Sequence, residues 1–180
     1  DKKKFVLGIS RSNEINKVFL PYKWKKINKK LYEFHKLDLN KNVEKIISLI
    51  KKKKINIVVN FASQSMVSQS WITPLDWYNT NVISQVKLHD ELRKIKNLKK
   101  YIHVSTPEVY GSTKSQIKEN YNFSPSTPYA VSRAACDLHL RTFFKNYNFP
   151  VIFTRASNVY GPGQQLYRLI PKAILCAMLR

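Results

Sequence analysis

The sequence predicts an α/β protein built on a doubly wound parallel sheet, and three observations carry that prediction. Short runs rich in β-branched residues alternate with longer amphipathic stretches at the spacing of βαβ units. The run Ile55 to Phe61 is apolar except for Asn56 and Asn60, the composition of a strand buried on both faces of a parallel sheet. Segments of small and polar residues follow the predicted strands, where open α/β sheets bind ligands.

Phe5 to Ile9 is the first predicted strand, and Tyr32 to His35 the second, running into Leu37-Asp38-Leu39. Val43 to Lys53 places Val43, Ile46, Ile47 and Ile50 at helical spacing. Ile55 to Phe61 is the third strand. A long helix is expected over Trp77 to Lys96, with a basic last turn that suits the helix dipole and with Trp71, Trp77 and Tyr78 packed beneath it. Tyr101 to Ser105 is the next strand. Pro125 and Pro128 mark a loop before a helix over Tyr129 to Tyr147, in which Cys136 is a small buried residue. Val151 to Thr154 is the last strand, and Ile170 to Leu179 has a helical pattern without a stop signal. The chain starts without Met before an apolar run and ends inside that pattern, so it reads as a piece of a longer protein. Such a piece is expected to be poorly stable and inactive by itself.

Hydrophobic residues at 43% and aromatics at 12% fit a folded domain and exclude a disordered chain. No apolar run approaches the ~18 residues of a membrane span. Cys136 and Cys176 form no disulfide framework, and His35, His89, His103 and His139 show no metal-site spacing. A reducing, cytoplasmic setting is the expectation. The net charge of +21 raises the question of nucleic acid. The lysines, however, are spread over presumed helix surfaces and loops such as Lys51 to Lys54 and Lys94 to Lys100, and neither a zinc-finger spacing nor an aromatic RNA-binding signature is present. A solvated basic surface that attracts anionic substrates is the better reading.

Five segments follow predicted strands: Ser10-Arg11-Ser12, Asp38-Leu39, Ala62 to Ser65, Ser105 to Gly111, and Ala156 to Pro162. Tyr129 and Arg133 stand at i and i+4, one face of a helix. A cation beside a phenol stabilises phenolate and lowers its pKa, which would make a base usable near neutral pH. Alone, this spacing usually marks just a helix surface.

Four longer segments give the pair a context: "NFASQS" from Asn60, "STPEVYG" from Ser105, "PSTPYAVSRAACD" from Pro125 and "TRASNVYGPGQQ" from Thr154. Together they resemble the extended short-chain dehydrogenase/reductases, the NAD-dependent epimerase/dehydratase family, and within it the dTDP-glucose and GDP-mannose 4,6-dehydratases. The resemblance implies a Rossmann-like fold, with residues 1–162 forming a partial dinucleotide-binding domain and 163–180 opening the nucleotide-sugar-binding region. It implies that Tyr129 is the catalytic base toward a sugar hydroxyl and that Thr106 binds the same oxygen. Glu108 would take the proton beside the new ketone, and Arg133 would assist Tyr129 and contact the cofactor. Asp38 and Leu39 would flank the adenine, Phe61, Ala62, Ser63, Gln64 and Thr80 would line the cofactor, and Ser65 and Asn158 would face the substrate. The partner so implied is a nucleotide-diphosphate sugar, with no nucleic acid or membrane, and the full-length protein would be a homo-oligomer.

The chain departs from the family pattern in three ways. The glycine-rich phosphate loop after the first family strand is absent from this sequence, position 133 is Arg where the family usually has Lys, and Pro107 replaces the acidic residue of the dTDP-glucose enzymes. Simple epimerases need no carboxylate at position 108, so Glu108 favours dehydration. A 4-epimerase or uronate decarboxylase on the same scaffold is the alternative, as is a non-catalytic nucleotide-binding protein. Arg11, at a strand end where an acidic residue would select NAD, favours NADP over NAD as the cofactor.

Overall fold

The computed structural model describes residues 4–24, 29–113, 115–157 and 159–179. The chain forms two compact units, one from residues 1–36 with 158–180 and one from 37–157. In the first unit β1 (Val6–Ser10) pairs in parallel with β2 (Tyr32–Lys36), and Gly8 stands opposite Phe34. The helix α6 (Leu169–Met178) also belongs to this unit, and none of its residues is buried.

The second unit holds a three-stranded parallel sheet in the order β3 (Ile57–Asn60), β4 (Lys100–Val104) and β5 (Val151–Thr154). All pairings among the described residues are parallel, as the alternating pattern predicts, in one ladder of two strands and one of three. The register levels Asn60 with His103 and His103 with Phe153. The loops that follow the three strands therefore leave the sheet at a common edge. β3 is not buried on both faces as expected: Ile57 and Val59 remain 45% and 48% exposed. Side chains alternate between the faces of a strand, so Ile57 and Val59 share one face, which is left exposed, while Val58 and Asn60 on the other are more buried.

The helix α1 (Val43–Lys52) buries the four residues its spacing selects, Val43, Ile46, Ile47 and Ile50, and packs on α4. Each such side chain contributes about 1.5–3 kcal/mol by leaving water. The long helix expected over Trp77 to Lys96 is broken into three pieces: α3 (Pro74–Tyr78), a π-helical turn (Asn79–Ile83) and α4 (Ser84–Leu92). A four-residue helix, α2 (Val67–Ser70), precedes them. Trp77 is buried there and Tyr78 is half-buried, but Trp71 is 64% exposed. No helix among the described residues is long and apolar enough to cross a membrane.

The longest element is α5 (Pro128–Tyr147), which packs against α2, α3, α4, the π turn and β5. Its start is written in the sequence: Thr127 caps it by accepting from the amide of Ala130 at 3.1 Å, and Pro128 fills the first turn, where an amide donor would lack a partner. It ends at Asn148, which adopts the left-handed conformation (φ 51°) common after a helix. Leu140, Leu92, Tyr101 and Val109 are fully buried around it.

Because Thr127 sets the first turn, and Tyr129 lies on it, Thr127→Ala should cost the full-length protein about 1 kcal/mol. Urea denaturation followed by circular dichroism measures this, and a midpoint equal to that of the wild type would mean the cap contributes nothing.

Candidate active site

The edge where β4 ends carries the first half of the site. Ser105 continues the ladder by donating its amide to the carbonyl of Thr154 at 2.8 Å. Thr106 then caps a 3-10 turn, Pro107–Tyr110, its hydroxyl accepting from the amide of Glu108 at 3.3 Å. Thr106 is buried, and Glu108 stands at the surface of the turn. Gly111 closes it at φ 71°, and a Cβ there would come within 2.1 Å of the Ser124 carbonyl oxygen. Only glycine lets the following loop fold back, with the Ser124 amide donating to the Val109 carbonyl at 3.0 Å.

The second half lies on α5. Tyr129, Arg133 and Asp137 follow one another at i, i+4 and i+8, so they line one face, and all three are buried. The guanidinium of Arg133 donates to the carbonyl of Val104 and, at 3.3 Å, to Nε2 of His103. Its Nε has no partner among the described residues. The phenol of Tyr129 feels Arg133, a hydrogen bond with Thr106, and the carboxylates of Glu108 and Asp137. The four residues expected to be catalytic, Thr106, Glu108, Tyr129 and Arg133, are thus brought together.

The electrostatic balance corrects the expectation for Tyr129. Burial is the largest effect and holds the phenol above its ordinary pKa, while Arg133 and Thr106 pull it down without prevailing. The cation acts in the expected direction, but desolvation of the phenolate is stronger. Partial burial likewise raises the Glu108 carboxyl, which makes it a stronger base once ionised.

The loop after β3 is fixed by residues that spacing alone did not single out. Asn81, within the π turn, accepts from the amide of Gln64 at 2.8 Å and donates to its carbonyl at 3.0 Å. The same amide nitrogen donates to Ser132 at 3.0 Å, and Ser132 donates to the carbonyl of Tyr129 at 2.7 Å. Gln85 donates to the carbonyl of Ala62 at 2.7 Å. The π turn aims Asn81 across to both the loop and α5, and such turns interrupt helices most often at functional sites. Ser63 and Gln64 are half-buried, whereas Phe61, Ala62 and Ser65 are exposed. Asn40 donates to Thr80 at 3.0 Å, which ties the Asp38-Leu39 segment to the same turn. Asp38 itself accepts from the amides of Asn40, Lys41 and Asn42, and Leu39 is buried. A cleft of about 290 Å³ is lined by Asn40, Gln64, Thr80, Ser84 and Lys87, among others. It takes in Gln64 and Thr80 but not Tyr129. Arg11 is exposed just beyond β1 in the other compact unit, and Asn158 lies outside the described residues.

Behind Tyr129 the core is polar. Asp137 accepts from Ser105 and from Arg155, both at 2.8 Å. His89 and Tyr101 share a 2.7 Å hydrogen bond, and Asn60 donates to the same phenol. His89, His103 and Cys136, which the spacing left scattered, place one donor atom each within 4.8 Å. No further His, Cys, Asp or Glu joins that group among the described residues, and the nearby Arg133 charge opposes a cation there. Burial holds both histidines neutral: His89 is pushed down to about 3, and His103 falls well below its usual range, with Arg133 adding to the effect.

A family model described as GDP-mannose 4,6 dehydratase matches residues 2–180, and the chain belongs to that family. Human dTDP-D-glucose 4,6-dehydratase is 36% identical over 149 residues, which cover 82% of this chain and 42% of its own. Among solved structures, dTDP-glucose 4,6-dehydratase from Bacillus anthracis in complex with NAD has a TM-score of 0.69 and 34% identity, covering 83% of this chain and 45% of that one. UDP-N-acetylglucosamine 4-epimerase from Methanobrevibacter ruminantium, in complex with UDP-N-acetylmuramic acid, has a TM-score of 0.79 and 28% identity over 96% of this chain and 55% of that one. The membership in the NAD-dependent epimerase/dehydratase family expected from the sequence therefore holds. The chain spans less than half the length of the curated relatives it matches. The preference for NADP gains no support, since the Bacillus anthracis relative was solved with NAD.

The neutral histidines make the fold sensitive to acid. Unfolded His89 takes up a proton near its ordinary 6.5, but folded His89 does so only at about 3. Its stabilising effect is therefore complete above pH 6.5 and falls as pH drops toward 3, by about 1.4 kcal/mol per pH unit, with His103 adding in the same direction. Denaturation of the full-length protein between pH 7 and 5 should show this slope, reduced in His89→Gln. Parallel slopes for the two proteins would dismiss the account.

Proposed function

We propose that the full-length protein is a nucleotide-sugar 4,6-dehydratase whose reacting groups are Thr106, Glu108, Tyr129 and Arg133. The observation that supports this most is the convergence of a carboxylate at the surface of the turn, Glu108, on the Tyr129 phenol. In the doubly wound order 3-2-1-4-5, taking away the first strand leaves one pair and one trio of strands. The two sheets match that remainder, so we place the family's first strand and its phosphate loop elsewhere in the full-length protein.

Two features suit a nicotinamide cofactor at this edge: Phe61 is 72% exposed after β3, and the buried Nε of Arg133 lacks a partner among the described residues. When bound, such a cofactor would supply reversible hydride transfer for the sugar's C4 and C6. Thr106 holds the C4 oxygen and Tyr129 takes its proton, with the Arg133 charge favouring the phenolate. Glu108 removes the proton from C5. Loss of the C6 hydroxyl as water then requires a proton, which Pro107 cannot donate. Glu108, having just gained the C5 proton, is the donor in reach. Residues 61–65, Thr80 and the Asp38-Leu39 segment are assigned to the cofactor, and Ser65 and Asn158 to the nucleotide sugar. Residues 1–162 are assigned to the dinucleotide-binding domain and 163–180 to the start of the substrate region. NAD is the cofactor we assign, with Arg11 as the one feature that argues for NADP.

A 4-epimerase is the second reading, favoured by Pro107 and by the likeness to the Methanobrevibacter ruminantium enzyme. The mass of the product separates the readings, since dehydration loses water, decarboxylation loses carbon dioxide and epimerisation loses nothing. With the full-length protein and a panel of nucleotide sugars, Tyr129→Phe should lower kcat about 100-fold or more, and Glu108→Gln should abolish loss of water. Water loss at the wild-type rate by Glu108→Gln would reject the dehydratase, and cofactor binding without turnover on any sugar would favour a non-catalytic protein. Titration with both cofactors should give tighter binding of NAD. Tighter NADP binding that disappears in Arg11→Ala would restore the Arg11 reading.

A further inference from the structure

Asp137 has no place in the mechanism above, yet it is a carboxylate with no exposed surface, set directly behind the reacting groups. Its Oδ2 accepts two hydrogen bonds, from the Ser105 hydroxyl and from the Arg155 guanidinium, each at 2.8 Å. Ser105 is the residue before Thr106, and Arg155 opens the loop after β5. Its Oδ1 lies 3.5 Å from Nε2 of His103, the same nitrogen that Arg133 reaches at 3.3 Å. One carboxylate thus fastens the end of β4 and the end of β5 to the helix that carries Tyr129. The alternative, a carboxylate present only for stability, is a poor one, because burial disfavours its charge and an apolar side chain would fill the space without that cost.

We propose that Asp137 is a positioning residue for the Tyr129 and Thr106 pair: by holding Ser105 and Arg155 to α5, it sets the distance between phenol and hydroxyl and balances the Arg133 charge. The proposal rests on the reading of Tyr129 as the base. The charged and titratable groups around Asp137 are Tyr129, Arg133 and Cys136 on its own helix, His103 on β4 and Arg155 after β5. Those around Tyr129 are Arg133, Asp137 and Glu108. The carboxylate of Asp137 raises the Tyr129 phenol, so its removal makes Tyr129 more acidic even as the geometry loosens.

The test uses the full-length protein. Asp137→Asn keeps the shape but loses the charge, and it should lower kcat about 10–100-fold with KM nearly unchanged, as misplacement of reacting groups does. It should also move the acid limb of the pH dependence of kcat to lower pH, which a merely structural residue would not do. Ser105→Ala, which removes one arm and no charge, should lower kcat without moving that limb. It also serves if Asp137→Asn does not fold: a wild-type kcat in Ser105→Ala then overturns the proposal. If Tyr129→Phe is inactive while Asp137→Asn keeps a wild-type kcat and pH limb, the role of Asp137 is rejected and that of Tyr129 stands. If Tyr129→Phe remains active, the reading of the base itself fails.

Discussion

A fully buried guanidinium governs the organisation of the second unit. Arg133 must satisfy its donors inside the protein, because an unpaired buried charge costs several kcal/mol. It does so in part: Nη2 donates to the carbonyl of Val104 and to neutral His103, at the end of the strand that presents Thr106, while Nε has no partner among the described residues. Asp137 supplies the counter-charge, which Arg133 shares with Arg155. The need to compensate this one cation draws α5, β4 and the end of β5 to a common point. That point lies beside the Tyr129 phenol.

The same arrangement gives the substitution of arginine for lysine a physical account. An ammonium is compact and strongly hydrated, whereas a guanidinium is wide, planar and more weakly hydrated. The longer side chain reaches past the helix to the backbone of β4. The positive charge therefore remains in reach of the phenol while its donors are spent largely on the scaffold. The cation tunes the tyrosine through space, and the burial that accommodates the cation also raises the phenol above its ordinary pKa.

Elements whose cores face one way were legible from spacing. The apolar positions of α1 and the prolines that mark the loop before Tyr129 predict α1 and α5 to within a residue or two. The break in the Trp77 to Lys96 helix was not legible, because a π turn has no strong compositional signal and Asn81 looks like any helix-surface amide. Its partners, Gln64 and Ser132, lie 17 and 51 residues away. The over-long reading of β3 has a similar cause. An apolar run says that a strand can be buried, but only what packs on the sheet says which face is covered.

By itself the sequence determined the parallel α/β class, the family, and the four residues that converge, since strand ends, helix spacing and short motifs are local properties of the chain. Only the tertiary structure decided what surrounds those residues. The burial that outweighs Arg133 at Tyr129, the trio His89, His103 and Cys136, and the clamp on Asp137 all join residues distant in the chain. Desolvation and hydrogen-bond pairing depend on every neighbour in three dimensions, and no spacing along one dimension encodes them.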